Sequence, residues 1–484
     1  MFRSACRLLT NFFFESEIMT NSHKNSASAT SVELSTIQPI PLSERHGKPR
    51  DLFTIWFGSN IMLLTVITGA LAVSIFHLSF LWATVAVLIG NLAGGLFMAL
   101  HSAQGPQLGV PQMVQTRGQF GSYGSVLVVA LVVFMYIGFL ASNLVLGGQS
   151  LHAIYSPIST DVWIIVVAGL SLIATAFGYN LIHAYTKVMS WVSGIILAAT
   201  FIWIVFYYGL PGDFLSRNGF NTSGFLGAIS VAVLWQLAYA PYVSDYSRYM
   251  PKDVKERSVF WYSYIGCVLG SFFPMILGIL VSICVVEGDL IGGIVHMTGG
   301  FSSVVIVAFA LGIAATNAMN LYCGVLCTLT LGQTFLPRWS PLSGARIITA
   351  IATILIEIAI ALYGQENFLA NYTNFILMLL YVLVPWTAIN LVDYYLIAHG
   401  NYDVPSFFRR DGGIYGYFNA RAIFSYMLGI LVEIPFMSTA IYTGPAANAL
   451  GGADISWIVG LIVVSPVYYL MSRSQSVVPA AAYK

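Results

Sequence analysis

Residues 55–70 read IWFGSNIMLLTVITGA. The run is apolar enough to lie in a bilayer, yet Gly58-Ser59-Asn60 interrupts it near its start. Glycine weakens a helix, and Ser and Asn side chains offer the backbone competing local hydrogen bonds. A second interruption lies in residues 233–249, VLWQLAYAPYVSDYSRY. Pro241 removes a backbone donor and clashes one turn back, so Tyr239-Ala240-Pro241 is the expected point of unwinding. Backbone freed at membrane depth is tolerated where it lines a cavity or meets a ligand. The two stretches predict a helical membrane protein with an internal site, and Ser59 and Asn60 are expected there.

Composition agrees. Of 484 residues, 58% are hydrophobic and 8% charged, against about 25% charged in soluble proteins. A soluble surface cannot absorb that excess of apolar side chains. A net charge of +1 with no dense basic face argues against nucleic-acid binding. Of the five cysteines, Cys267, Cys284, Cys323 and Cys327 lie in apolar stretches and act as small hydrophobes. Cys323 and Cys327 have no neighbouring His or second Cys pair, which disfavours zinc. Residues 1–18 carry two basic residues and a short apolar run, but Asn11, Glu15 and Glu17 break the pattern of a signal peptide. Met19 opens a polar Ser/Thr/Asn-rich stretch that reads as a natural disordered start.

Twelve apolar stretches reach the length of about 20 residues that a membrane helix needs. They cover roughly 51–76, 80–101, 124–151, 161–180, 185–210, 223–243, 258–286, 301–333, 342–363, 369–397, 419–443 and 455–472. With the first crossing outward, every Lys and Arg except Arg217 falls in the tails or in the segments on the starting side. Short cytoplasmic loops collect such residues. Both termini are therefore expected in the cytoplasm, in a cell (plasma or bacterial inner) membrane. Residues 1–50 form a largely disordered tail, 51–472 a transmembrane domain, and 473–484 a second tail. Loops 244–257 and 398–418 are too short to fold alone. In a helix array made of two inverted five-helix repeats, the interrupted first and sixth stretches would occupy matching positions. That is the pattern of a secondary transporter with its site at the repeat interface, although Gly and Pro are common in membrane helices generally.

Polar residues inside the apolar stretches are the candidate site. Asn143 lies in the third stretch with Phe139 four residues earlier, on the same helix face. Asn317 and Asn320 lie in the eighth. Asn often serves only to join helices in a bundle. It also offers a donor and an acceptor side by side, which matches the polar edge of a nucleobase. A flat ring wants aromatic faces, and Phe139, Trp235 and Tyr239 can supply them. A sodium ion needs oxygen ligands. The carbonyls of Gly58 and Ile61 with the Thr316 hydroxyl provide some, near Gly312 and Ala315, but Ala315 has no hydroxyl. Glu357 and Glu433 are the alternatives for proton coupling, although both are read first as structural.

Three segments resemble the nucleobase–cation-symport family, and most of all its purine–cytosine permeases. They are IWFGSNIMLLTVITGAL (55–71), SAQGPQLGVPQMVQTRGQFGSYGS (102–125) and APYVSDYSRYMP (240–251). The resemblance covers roughly residues 40–475. It implies a leucine-transporter-type fold, a 5+5 inverted-repeat core plus two C-terminal helices, all-α. It also implies symport of a nucleobase or related heterocycle with sodium or a proton. The family's helix-three aromatic and amide fall on Phe139 and Asn143, where Phe139 replaces the usual tryptophan. The helix-six aromatic falls on Tyr239, with Trp235 as second choice, and the helix-eight amide on Asn320, with Asn317 beside it. Met319 stands where the subgroup often has proline. The family's sodium site maps near Gly58, Ile61, Gly312, Ala315 and Thr316, and Ala315 has lost one of its hydroxyls.

The expectation is thus a permease importing a purine or cytosine-like base by alternating access. Allantoin, hydantoin, thiamine or a pyridine vitamin are the alternative cargoes. No cofactor, no nucleic acid and no obligatory protein partner are implied. A membrane-embedded enzyme is the rival reading, but the sequence holds no HExxH, no GxSxG and no paired intramembrane Asp, and His183 and His296 read as isolated loop residues. A passive channel is a second rival, which predicts flux independent of any ion gradient.

Overall fold

The computed structural model describes residues 36–177, 179–285, 289–336, 338–366 and 368–474. Regular structure among these is helical, with two isolated bridges, Leu78 to Gly219 and Ser438 to Thr443. The first apolar stretch divides into α1 (Pro49–Asn60) and α2 (Leu63–Ser74), bent by 63°. Next come α3 (Phe80–Leu108), a short α4 (Gln112–Phe120) and α5 (Ser125–Ile154). They are followed by α6 (Thr160–Phe177), α7 (Tyr179–Trp203), α8 (Thr222–Leu237) and a short α9 (Val243–Ser247). Then come α10 (Glu256–Cys284), a short α11 (Leu290–Thr298), α12 (Ser302–Phe335) and α13 (Ser343–Gly364). The chain ends with α14 (Phe368–Leu391), α15 (Ala420–Glu433), α16 (Pro445–Ala449) and α17 (Ser456–Ser472).

Each apolar stretch holds a helix, but not all are equal. Among the described residues, seven helices are long and apolar enough to cross a membrane, and the bent α1–α2 pair makes an eighth. Three others are apolar but shorter: Thr160–Thr175, α8 and α17. The eleventh stretch was expected to run to residue 443, yet α15 stops at Glu433 and a single 3-10 turn, Ile434–Phe436, follows. Pro435 lacks an N–H and cannot continue the ladder. The segment 102–125 is largely helical: α3 runs into it as far as Leu108 and α4 spans Gln112–Phe120. His183 and His296 likewise sit in α7 and α11 rather than in loops.

Packing depends on small residues where backbones approach closely. A Cβ on Gly278 of α10 would strike the Val66 carbonyl of α2, and one on Gly94 of α3 would strike the Val233 carbonyl of α8. Those glycines let α10 lie against the broken first span and α3 against α8.

One end of the bundle carries Arg117, Arg248 and Arg409 and is called the basic end. Residues 36–48, assigned from sequence to a disordered tail, lie across it with Ile37 and Ile40 buried. Thr36 Oγ1 donates to the Pro341 carbonyl at 2.7 Å, and Ile40 N to the Gly109 carbonyl at 2.9 Å. Arg45 donates to the Pro106 carbonyl at 2.6 Å. Burial, and then the neighbouring Arg248, hold the Arg45 guanidinium below its ordinary range. Residues 1–35 and 475–484 of the two expected tails lie outside the described residues.

Candidate functional site

The break between α1 and α2 is built by its own side chains. Asn60 Nδ2 donates to the Trp56 carbonyl at 2.7 Å and Ser59 Oγ to the same oxygen at 3.3 Å, and the terminal Asn60 carbonyl of α1 accepts from Thr65 Oγ1 at 2.5 Å. Asn60 Oδ1 accepts three more hydrogen bonds: from Trp235 Nε1 at 2.9 Å, Tyr239 Oη at 2.7 Å and Ser271 Oγ at 2.8 Å. The Asn60 amide joins α1, α10 and the end of α8, the Ser59 hydroxyl bonds within α1, and neither residue lines the cavity described below.

The second break falls where Pro241 placed it. α8 ends at Leu237, residues 238–242 form turns, and α9 resumes at Val243. Between the breaks lies a small cavity of about 20 Å³, lined by Met62, Phe139, Asn143, Trp235, Ala238, Tyr239, Tyr242, Thr316 and Asn320. That is room for about one water. The structure thus brings together Phe139, Asn143, Trp235, Tyr239, Thr316 and Asn320, six of the residues chosen from sequence. It adds Met62, Ala238 and Tyr242, which sequence reasoning missed; the neighbouring Pro241 was the available signal for the last. Phe375 of α14 also packs on Phe139, ring centroids 5.3 Å apart.

The aromatic geometry modifies the expected stacking. Phe139 and Trp235 have centroids 6.2 Å apart at 86°, and Trp235 and Tyr239 6.2 Å apart at 76°. A base lying flat on one of these rings meets the edge of the next, so a parallel sandwich between α5 and α8 is not formed as the rings stand.

The amides divide into two kinds. Asn143 is fully buried, and both its amide atoms lack hydrogen-bond partners among the described residues. Asn317 is the same but does not line the cavity. Gly147 of α5 faces Ile313 of α12, and Gly324 of α12 faces Tyr136 of α5. In that antiparallel register Asn143 and Asn317 fall at the same level, one at the cavity wall and the other behind it.

The expected cation residues also converge. Thr316 Oγ1 donates to the Ser59 carbonyl at 2.8 Å, and Gly312 lies directly against the Ile61 carbonyl. The Gly58 carbonyl receives Ile61 N at 3.2 Å. Ala315 is buried beside them without a hydroxyl. Glu357 and Glu433 are fully buried, and neither carboxyl oxygen of either has a hydrogen-bond partner among the described residues. Neither residue lines the cavity.

Access differs between the two ends. A cavity of about 710 Å³ lies at the end opposite the basic one, with Ile67, Leu146, Arg217, Asp289 and Gln365 in its walls. At the basic end the segment 102–125 closes the bundle. Gln112 N donates to Asp245 Oδ1 at 2.8 Å. Arg117 donates to Gln333 Oε1 at 3.0 Å, Thr334 Oγ1 at 3.0 Å and the carbonyls of Thr330 at 2.8 Å and Phe407 at 2.9 Å.

Broken helices around a small aromatic cavity with amides in its wall, open space at one end and closure at the other, are the build of a membrane transporter. The chain belongs to a family of permeases for cytosine/purines, uracil, thiamine and allantoin, whose model matches residues 39–460. It is 41% identical over 445 residues to YxlA of Bacillus subtilis (strain 168), provisionally named a purine-cytosine permease, covering 91% of this chain and 96% of that one. It is 27% identical to the purine-cytosine permease fcyB of Emericella nidulans, covering 90% of this chain and 87% of fcyB. Its fold is similar to that of Mhp1, a nucleobase-cation-symport-1 family transporter solved in a closed conformation with bromovinylhydantoin bound. The TM-score is 0.72 at 19% identity, covering 90% of this chain and 93% of that one.

Proposed function

We propose that the protein is a secondary-active symporter that imports a purine or cytosine-like base together with a cation. Twelve membrane crossings place both termini in the cytoplasm, with the basic end facing inward, and ten of the helices form two inverted five-helix repeats. The base sits in the cavity between α5, α8 and α12, where Asn143 and Asn320 read its polar edge and Phe139, Trp235 and Tyr239 contact its ring. A cation between the α1–α2 break and α12 holds the site in its binding form. Alternating access then moves the opening from the wide cavity to the basic end.

The observation that carries this reading is the pair of unpartnered Asn143 amide atoms at the wall of an aromatic cavity. A buried amide without partners is costly unless a ligand completes it. Vesicle uptake of radiolabelled cytosine, adenine, hypoxanthine and allantoin, under an imposed sodium or proton gradient, is the test. Accumulation of cytosine or a purine is expected. Accumulation of allantoin alone would move the cargo within the family, and uptake of none of the four would sink the reading.

A further inference from the structure

We propose that Ser193 of α7 supplies an oxygen ligand to a sodium ion held between the α1–α2 break and α12, in place of the hydroxyl that Ala315 lacks. The inference rests on the symport reading and names its ion.

Ser193 is 1% exposed, and its hydroxyl has no hydrogen-bond partner among the described residues. Two other buried hydroxyls of this helix are used: Ser190 Oγ donates to the Thr54 carbonyl at 2.6 Å and Thr200 Oγ1 to the Ile196 carbonyl at 2.7 Å. A serine in a helix normally makes such a local bond. Ser193 does not, although membrane depth makes an idle hydroxyl unfavourable.

Its position explains why. α7 packs against both α1 and α12. Ser190, one turn before, presses its side chain on Gly58, and Gly194, the next residue, faces Phe57 and Ile61. Ser193 therefore sits on the buried face of α7 at the height of the break. The oxygens already gathered there are the Ile61 carbonyl against Gly312, the Gly58 carbonyl, and the Thr316 hydroxyl, which donates to Ser59 and keeps its lone pairs. Unwound carbonyls with hydroxyls are how broken membrane helices hold sodium.

The donor set also selects among ions. α7 and α12 contain no acidic residue, and the sole one in α1 is Asp51 at its far end. Divalent cations are usually held by carboxylates, and a proton needs a titratable group. Neutral oxygens alone suit a univalent metal cation.

The test reads binding, not transport. Thermal unfolding of the purified full chain is followed as sodium chloride replaces choline chloride at constant ionic strength, with potassium chloride as control. The wild type is expected to gain a saturable rise in Tm with sodium and none with potassium. Ser193→Ala should raise the half-saturating sodium concentration by about tenfold or more, and Ser193→Thr should not. Adding Ala315→Ser to Ser193→Ala should restore it, which a merely structural serine would not allow. If Ser193→Ala does not fold, Ala315→Ser alone decides: it should tighten sodium binding. Sodium dependence in Ser193→Ala equal to that of the wild type overturns the proposal, as does a wild-type Tm indifferent to sodium. Counterflow of base between vesicles without any ion gradient reports the symport reading separately. Counterflow with no sodium effect on Tm removes this proposal alone.

Discussion

The Tyr239 hydroxyl donates to Asn60 Oδ1 at 2.7 Å, joining the two interrupted helices directly. The same oxygen takes Trp235 and Ser271. One side chain thus sets the position of both aromatic rings that α8 and the turn after it give to the cavity, and their polar ends are occupied before any base arrives.

Asn60→Ala should therefore act on stability first. Tyr239 loses its acceptor, while Trp235 retains Ser271 Oγ at 3.1 Å. A loss of about 2–4 kcal/mol is expected, read as a fall in Tm. Asn60→Asp, which keeps the acceptor but buries a charge, should not restore it.

Asn143→Ala should do the opposite. Its amide makes no hydrogen bond among the described residues, so Tm should hold or rise while the half-saturating base concentration increases about tenfold or more, the worth of one good hydrogen bond. Asn317→Ala, behind the cavity wall, should change uptake far less. Equal losses in the two variants would contradict the placement of Asn317.

Arg117→Lys should loosen the basic end. The guanidinium reaches four acceptors on two segments, and an ammonium cannot span that fork. A cost of about 2–4 kcal/mol is expected, together with faster labelling of a cysteine introduced at Thr330, measured with a water-soluble maleimide.

Glu357→Leu separates the two candidate coupling ions. Removing an unpartnered buried carboxyl should stabilise the fold by about 1–3 kcal/mol, and sodium-driven uptake should persist. Loss of uptake with an intact fold would return the coupling role to the carboxyl.

Much of this was legible before the structure, for physical reasons. Gly58 and Pro241 act on their own backbones, so both breaks could be placed from local chemistry. Asn143 and Asn320 stood out because an amide in an apolar stretch always needs an explanation. The role of Asn60 was not legible, because its partners Trp235, Tyr239 and Ser271 come together only through packing. The same holds for Phe375 beside Phe139, and for the buried α4, whose polar residues resemble a loop until Thr330, Gln333 and Phe407 receive Arg117. The early end of α15 was signalled by Pro435, but the apolar residues beyond it disguised the stop.

The wide cavity at one end and the collapsed chamber beneath it differ greatly in size, about 710 against about 20 Å³. A molecule shaped like the cargo but carrying a bulky arm can lodge its arm in the upper space while its ring enters below. Such a compound would arrive, bind and never be carried, because the chamber could not shut over it. The antechamber is therefore the natural place to anchor a non-transported blocker, and its walls, Arg217 and Asp289 among them, give medicinal chemistry a handle that the cargo pocket itself does not.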